Sequence, residues 1–316
     1  MTDVKRALFH MNMLNVLVSL ITDDNDYQLA QAASAQTAAS KLGANVQIIY
    51  SGNDAVQQTQ QILSFVQNPS KRPDAILVEP VGTGMAQIAK AAVSAGIAWG
   101  VINSDVDYTG QLRQHALVPV FCVLSDHEAI GKIQGQQIAA FLGDKGCVLY
   151  IEGPLRDVAK LRTKGMLLTK PSGVDVKTLR GDWTQKSGYH AIKSWLSLST
   201  SRQLHVGAIA CQNDDMAIGA RRAFEELSNA EERTAWLRLP LTGCDGVPNS
   251  GQEWVRQGKI AATVISPPIV GDAMQLLVTA LKSGSQPPER TLVVPTSFPA
   301  LNELQKARAS AAPESK

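Results

Sequence analysis

Aromatic side chains make up only 5% of the 316 residues and charged ones 18%, and the net charge is +2. There is no run of lysine and arginine, no basic arm and no zinc-ligand cluster, which leaves no footing for a nucleic-acid partner. No apolar run exceeds the length of a strand, so nothing inserts into a membrane. Cysteine occurs four times, at 122, 147, 211 and 244, always in or beside apolar strand-like runs and never as C-x-x-C. These read as small buried hydrophobes, not as a disulfide framework or a zinc site. Free thiols mildly favour a reducing compartment. Catalytic signatures are missing too. The chain has no G-x-x-x-x-G-K-[ST] and no G-x-S-x-G, and Gly82-Thr83-Gly84 lacks the third glycine of a dinucleotide fingerprint. His127-Glu128 lacks the second histidine of a zincin helix, and Asp23–Asp26 lacks the glycine and closing glutamate of a calcium loop. No nucleophile–base pair follows from spacing, so the expectation is no enzyme, no cofactor and no metal. The N-terminus, M-T-D-V-K-R-A-L-F-H-M-N-M, has too short and mixed an apolar stretch for a signal peptide. On that reading the protein is cytoplasmic if Met1 is the true start.

What is present is a long alternation. Hydrophobic residues are 44% of the chain. Apolar runs begin at Leu14, Asn45, Asp74, Ile97 and Val118, with helical spacing after each of the first three and a polar loop between Ile102 and Val118. The pattern restarts with a helix opened by Ser125. Strands follow at Cys147–Ile151, Val174–Leu179, Val206–Cys211, Leu239–Gly243, Ile260–Ile265 and Thr291–Val294. A last amphipathic segment covers Ala300–Arg308. About ten strand–helix alternations in two series specify an α/β fold with two doubly wound parallel sheets, with an eight-stranded barrel as the alternative. Polar residues gather at the strand ends, most densely in Gln212-Asn213-Asp214-Asp215. In an open parallel sheet the carboxyl ends of the strands are where ligands bind, although a polar residue there also serves as a helix cap.

At Gln212–Ala220 the pattern becomes specific. Q-N-D-D-M-A-I-G-A, followed by G-C-D-G at 243–246 and G-K-I-A-A-T-V at 258–264, resembles the ribose-type periplasmic sugar-binding proteins. The ligand-binding halves of lactose-repressor-type regulators share it. The resemblance covers residues 14–298 and implies two Rossmann-like lobes joined by a three-stranded hinge, with the ligand in the cleft between them and hinge closure on binding. It places lobe 1 at 12–124 plus 267–293, lobe 2 at 125–266 plus 294–308, and a disordered tail at 309–316. It implies ligand contacts from Arg162, Trp183, Asn213 and Asp245, leaving Asp214 or Asp215 to cap the helix. An arginine and a carboxylate would hold sugar hydroxyls, and an aromatic face would cover the apolar side of the ring.

The first lobe departs from the family pattern. Asn103 and Ser104 stand where an Asp-Arg pair is usual, and Asp23, Asn25 and Asp26 where an asparagine and aromatics are usual. Glu79 and His127 each replace an asparagine, and Ser266 a glutamine. The implied ligand is a small sugar or polyol, with an amine allowed by the added carboxylates of Asp23 and Glu79. In the alternative for those two, Asp23 caps the first helix and Glu79 pairs with a lysine. The resemblance further implies a periplasmic, monomeric solute-binding component of an ABC-type sugar uptake system, whose partner is a transporter permease or a sensor. The alternative is a cytoplasmic ligand-sensing, effector-binding protein without a DNA-binding domain of its own.

Overall fold

The structure is a computed structural model that describes residues 13–199, 201 and 204–311. Residues 1–12, which hold the stretch read as unlike a signal peptide and the expected start of the first lobe, lie outside them. So do residues 312–316 of the expected tail.

The chain folds as two units. One runs up to Ser125 and takes in Pro268–Val293; the other comprises Asp126–Pro267 and the segment from Val294 on. The chain therefore passes from one unit to the other three times. There is no barrel: each unit has its own six-stranded sheet, in the orders β11-β5-β4-β3-β1-β2 and β12-β10-β9-β8-β6-β7.

The first sheet is built from β1 (Leu14–Leu20), β2 (Ala44–Tyr50), β3 (Ala75–Val78), β4 (Ala98–Ile102), β5 (Val120–Ser125) and β11 (Arg290–Val293), all parallel. Its inner strands β1, β3, β4 and β5 are buried on both faces, as a parallel sheet covered by helices on both sides requires, while the edge strands β2 and β11 keep exposed polar residues. Alternate residues serve opposite cores. Val16, Val18 and Leu20 pack with helices α1 (Asp26–Leu42) and α11 (Val270–Ser283), while Leu17 packs with α2 (Ala55–Gln67) and α3 (Ala86–Ser94). Helices α1 and α2 begin on side-chain caps: Asn25 accepts from the Gln28 N–H, and Asp54 from Val56 and Gln57. The expected polar loop before β5 contains a short helix, α4 (Tyr108–Gln114).

The second sheet repeats the plan with β6 (Lys145–Glu152), β7 (Gly173–Arg180), β8 (Ala208–Cys211), β9 (Leu241–Asp245) and β10 (Ala262–Ile265), closed by antiparallel β12 (Thr296–Phe298). Helices α5 (His127–Leu142) and α6 (Asp157–Thr169) cover one face, and α7 (Gln185–Leu196) and α8 (Asp214–Glu225) the other. Asp126, not Ser125, caps α5 through the Ala129 N–H. Two glycines bring α5 and α6 into backbone contact. A Cβ at Gly131 would collide with the Arg162 carbonyl, and one at Gly135 with Met166. Helix α9 (Ala230–Leu237) has no buried residue and leaves no apolar period in the sequence; α10 (Gly251–Arg256) follows β9. The last helix, α12 (Leu301–Ala311), continues past Arg308 into the stretch expected to be tail.

Both sheets share the order 2-1-3-4-5. Their topological switch points therefore fall between β1 and β3 and between β6 and β8, where helices on opposite faces diverge and leave a crevice at the carboxyl ends.

Candidate functional site

In the second unit the carboxyl strand ends gather a connected polar cluster. Arg162, on α6 just after β6, is only 4% exposed. Its guanidinium donates to the Gln212 carbonyl at the end of β8 and to Asp245 Oδ1 at the end of β9, the latter at 3.3 and 3.4 Å. The Trp183 ring lies 5.6 Å from the guanidinium carbon, in cation–π range. The same ring covers Gly153, where any Cβ would collide with it. Both Trp183 (φ +76°) and Asp245 (φ +102°) hold left-handed backbone, a region an ordinary side chain occupies only when its surroundings impose it.

Asn213 ties this cluster together. Its Oδ1 accepts from the Met216 N–H at 2.9 Å and its Nδ2 donates to the Trp183 carbonyl at 2.8 Å. The helix cap is therefore Asn213 itself. Asp214 instead links β9 and β10: its two oxygens accept from the Gly246 N–H and the Thr263 hydroxyl, each at 2.7 Å. Burial, followed by the nearby Asp245 charge, pushes the Asp214 carboxyl well above the usual range. Asp215 accepts from Gln185 Nε2 at 2.8 Å. Ser266, 2% exposed, donates its N–H to the Asp245 carbonyl at 3.0 Å. His127 is buried at the first position of α5.

Gln212 was not singled out as a site residue in the sequence, yet it anchors the switch point. It is fully buried, accepts from the Gly153 N–H and donates to Tyr150, Ala159 and Thr163. It thereby pins the β6–α6 turn to the end of β8.

In the first unit Glu79 and Asn103 come together directly. Glu79, 3% exposed at the end of β3, accepts from Asn103 Nδ2 at 2.8 Å and from Gln28 Nε2 at 2.9 Å. These side-chain partners are amides, and no lysine is among them. Burial pushes the Glu79 carboxyl up, while the two amide bonds hold it down. Asn103 sits at φ +59° at the end of β4. Asn25 caps α1 in the place the alternative reading gave to Asp23, and Asp23 is exposed in the same turn. Neither bonds Glu79 or Asn103 directly, but Gln28, whose N–H Asn25 caps, also donates to Glu79. Gln28, the third member of that network, carried no sequence signal beyond its place in the first turn of a helix.

Among the described residues no group of three or more His, Cys, Asp and Glu could hold a metal ion. All four cysteines are buried and unlinked. The polar strand ends thus offer hydrogen-bond donors, acceptors and one aromatic face.

The model of the periplasmic binding protein domain matches residues 16–286. The chain belongs to this family. It is 26% identical over 305 residues to the galactofuranose-binding protein YtfQ of Escherichia coli, covering 93% of this chain and 92% of that one. The ribose import binding protein RbsB of Salmonella typhimurium is 25% identical over 259 residues, 80% of this chain and 79% of that protein. Among solved structures, an ABC transporter periplasmic solute-binding protein of Actinobacillus succinogenes with bound D-allose superposes with a TM-score of 0.77 at 21% identity, covering 93% of this chain and 99% of that one. At that identity the likeness shows the fold.

Proposed function

We propose that the protein is the non-catalytic solute-binding component of an ABC-type uptake system, working in the periplasm on a small sugar or polyol. The observation that carries this is the linked set Arg162, Asp245, Asn213 and Trp183 at the carboxyl edge of β6, β8 and β9. A guanidinium and a carboxylate that touch each other at 3.3 Å supply donors and acceptors to vicinal hydroxyls, each charge-assisted bond contributing about 1.5–3 kcal/mol. The half-buried Trp183 ring supplies an apolar face for the C–H side of a sugar ring. Asp23, Asn25, Glu79 and Asn103 are the counterpart in the first unit, with His127 and Ser266 beside the chain crossings. Their carboxylates favour a neutral or amine-bearing ligand. The names of the relatives, a galactofuranose-binding and a ribose import protein, support the same class. Transport, with a membrane permease as partner, follows from the same kinship.

The test is mass spectrometry of the purified protein for retained ligand, joined to thermal shifts against sugars, amino sugars and polyols. A cognate ligand at a hundred times its Kd adds about 2.7 kcal/mol of stability. No shift with any such compound would overturn the proposal.

A further inference from the structure

The first unit's strand ends are one-sided in charge. The turns at residues 21–25, 51–54, 79–85 and 103–107 carry Asp23, Asp24, Asp54, Glu79, Asp105 and Asp107, and no lysine, arginine or histidine. Arg290 reaches in from β11 but is held by Asp105 at 2.8 Å. Within this edge Glu79 has an ordering effect. Both of its oxygens accept, so Gln28 and Asn103 both turn their N–H₂ groups towards it. The carbonyl oxygens of the two amides are then directed elsewhere. Gln28 Oε1 accepts from the Ile21 N–H at 3.3 Å. Asn103 Oδ1 is buried and has no hydrogen-bond partner among the described residues, on a residue 7% exposed. A buried acceptor left unmade is costly, and a bound solute can satisfy it.

We propose that Glu79 and Asn103 form a donor-selective subsite: Glu79 holds the Asn103 carboxamide so that its Oδ1 accepts a hydroxyl or ammonium hydrogen from the solute, and the acidic edge rejects anionic sugars. This rests on the solute-binding reading above. Glu79 acts through Asn103 and is a positioning residue. A sugar acid offers the subsite a charge of the wrong sign, and its carboxylate has no hydrogen to give. A neutral polyol satisfies Oδ1, and an amino sugar satisfies it and gains from the carboxylates.

The experiment is calorimetric titration of the full chain with D-ribose, xylitol, D-galactose, D-galactosamine, D-ribonate, D-galactonate and D-galacturonate. A neutral sugar is expected to bind, its acid to bind at least about 100-fold more weakly, the scale of like-charge juxtaposition, and the amine at least as well as the parent. An acid that binds within threefold of its parent overturns the subsite and leaves the solute-binding reading standing. Binding of none of the probes overturns that reading, and the subsite with it. In Glu79→Gln, loss of the ordering carboxylate is expected to weaken the neutral sugar about 10-fold, the scale of one hydrogen bond, and to shrink the parent-to-acid ratio. A merely structural role would weaken both ligands alike, so an unchanged ratio in that variant refutes the assignment of Glu79.

Discussion

Removing one member of the Arg162–Asp245 pair tests the centre of the second unit. The two residues are 4% and 8% exposed and meet at 3.3 Å. Breaking a buried pair from one side costs about 3–5 kcal/mol, because the other charge stays behind. Two features move the expectation to the low end of that range or just below it. The contact is longer than the ~2.7–2.9 Å of a tight charge-assisted bond. The guanidinium also keeps its bond to the Gln212 carbonyl when Asp245 is changed. Asp245→Asn preserves shape, and asparagine tolerates the φ of +102°, so its cost of about 2–3 kcal/mol is electrostatic. Arg162→Met keeps most of the volume but also strips a donor from the Gln212 carbonyl, for about 3–4 kcal/mol. In the double variant both charges are gone, so the costs should fall short of additivity by about 1–3 kcal/mol. Urea unfolding followed by tryptophan fluorescence reads this well. Of the five tryptophans only Trp99 belongs to the first unit, and the other four report on the second. A coupling below about 0.5 kcal/mol, the additivity expected of independent sites, would refute the claim that these side chains act as a pair.

Four other perturbations have defined outcomes. The Asp214 carboxyl is raised by burial, so the folded state binds its proton more tightly than the unfolded state, and stability falls as pH rises from the unfolded value towards the folded one. Asp214→Asn should remove up to about 1.4 kcal/mol per pH unit of that decline, seen as a flatter plot of Tm against pH above about pH 4; identical slopes would contradict the assignment. Trp183→Ala should weaken sugar binding about 10-fold through loss of the ring face, measured by calorimetry, and equal affinity would remove Trp183 from the site. Gly131→Ala should destabilise by about 1–3 kcal/mol in urea unfolding, since the new methyl meets the Arg162 carbonyl, and a neutral result would mean that α5 and α6 separate freely. Gln212→Leu should cost about 2–4 kcal/mol, having left the Gly153 N–H and the Ala159 carbonyl without their partner; a loss under about 0.5 kcal/mol would show water replacing it.

Much of this architecture is legible in the sequence because parallel strands buried on both faces are written as unbroken apolar runs. Ala75–Val78 and the run ending at Cys211 are of that kind. Two elements with little burial are not legible. Helix α9 has no buried residue to give it a period, and β12 is three residues whose strand character exists only through antiparallel pairing with β10. The run read from Val206 begins as a strand only at Ala208, since the Val206 N–H turns back to the Leu204 carbonyl. At the site the same division holds. Spacing located Glu79, Asn103, Asn213 and Asp245 at strand ends, because a strand's last residue is marked by the polarity that follows it. It could not divide the roles of Asn213 and Asp214, nor single out Gln28 and Gln212. Those roles depend on which amide meets which carbonyl across the sheet, a matter of tertiary placement that no local pattern encodes.

The three chain crossings have a consequence for how the protein is made. The first unit ends its initial run at Ser125, but helix α11 and the residue before it supply Ile269, Ala273, Met274 and Leu277 to the core beneath one face of its sheet. Strand β11 completes the edge beside β5. During synthesis that unit must wait with an incomplete face until residue 293 has emerged, roughly ten to thirty seconds after residue 125 at typical elongation rates. The second unit, begun later, lacks only the short β12 and α12 at that moment. The usual N-to-C order of maturation is thereby blunted: the unit started first cannot finish before the other is nearly complete, and a nascent chain arrested before α11 holds an exposed apolar face, a natural target for chaperones.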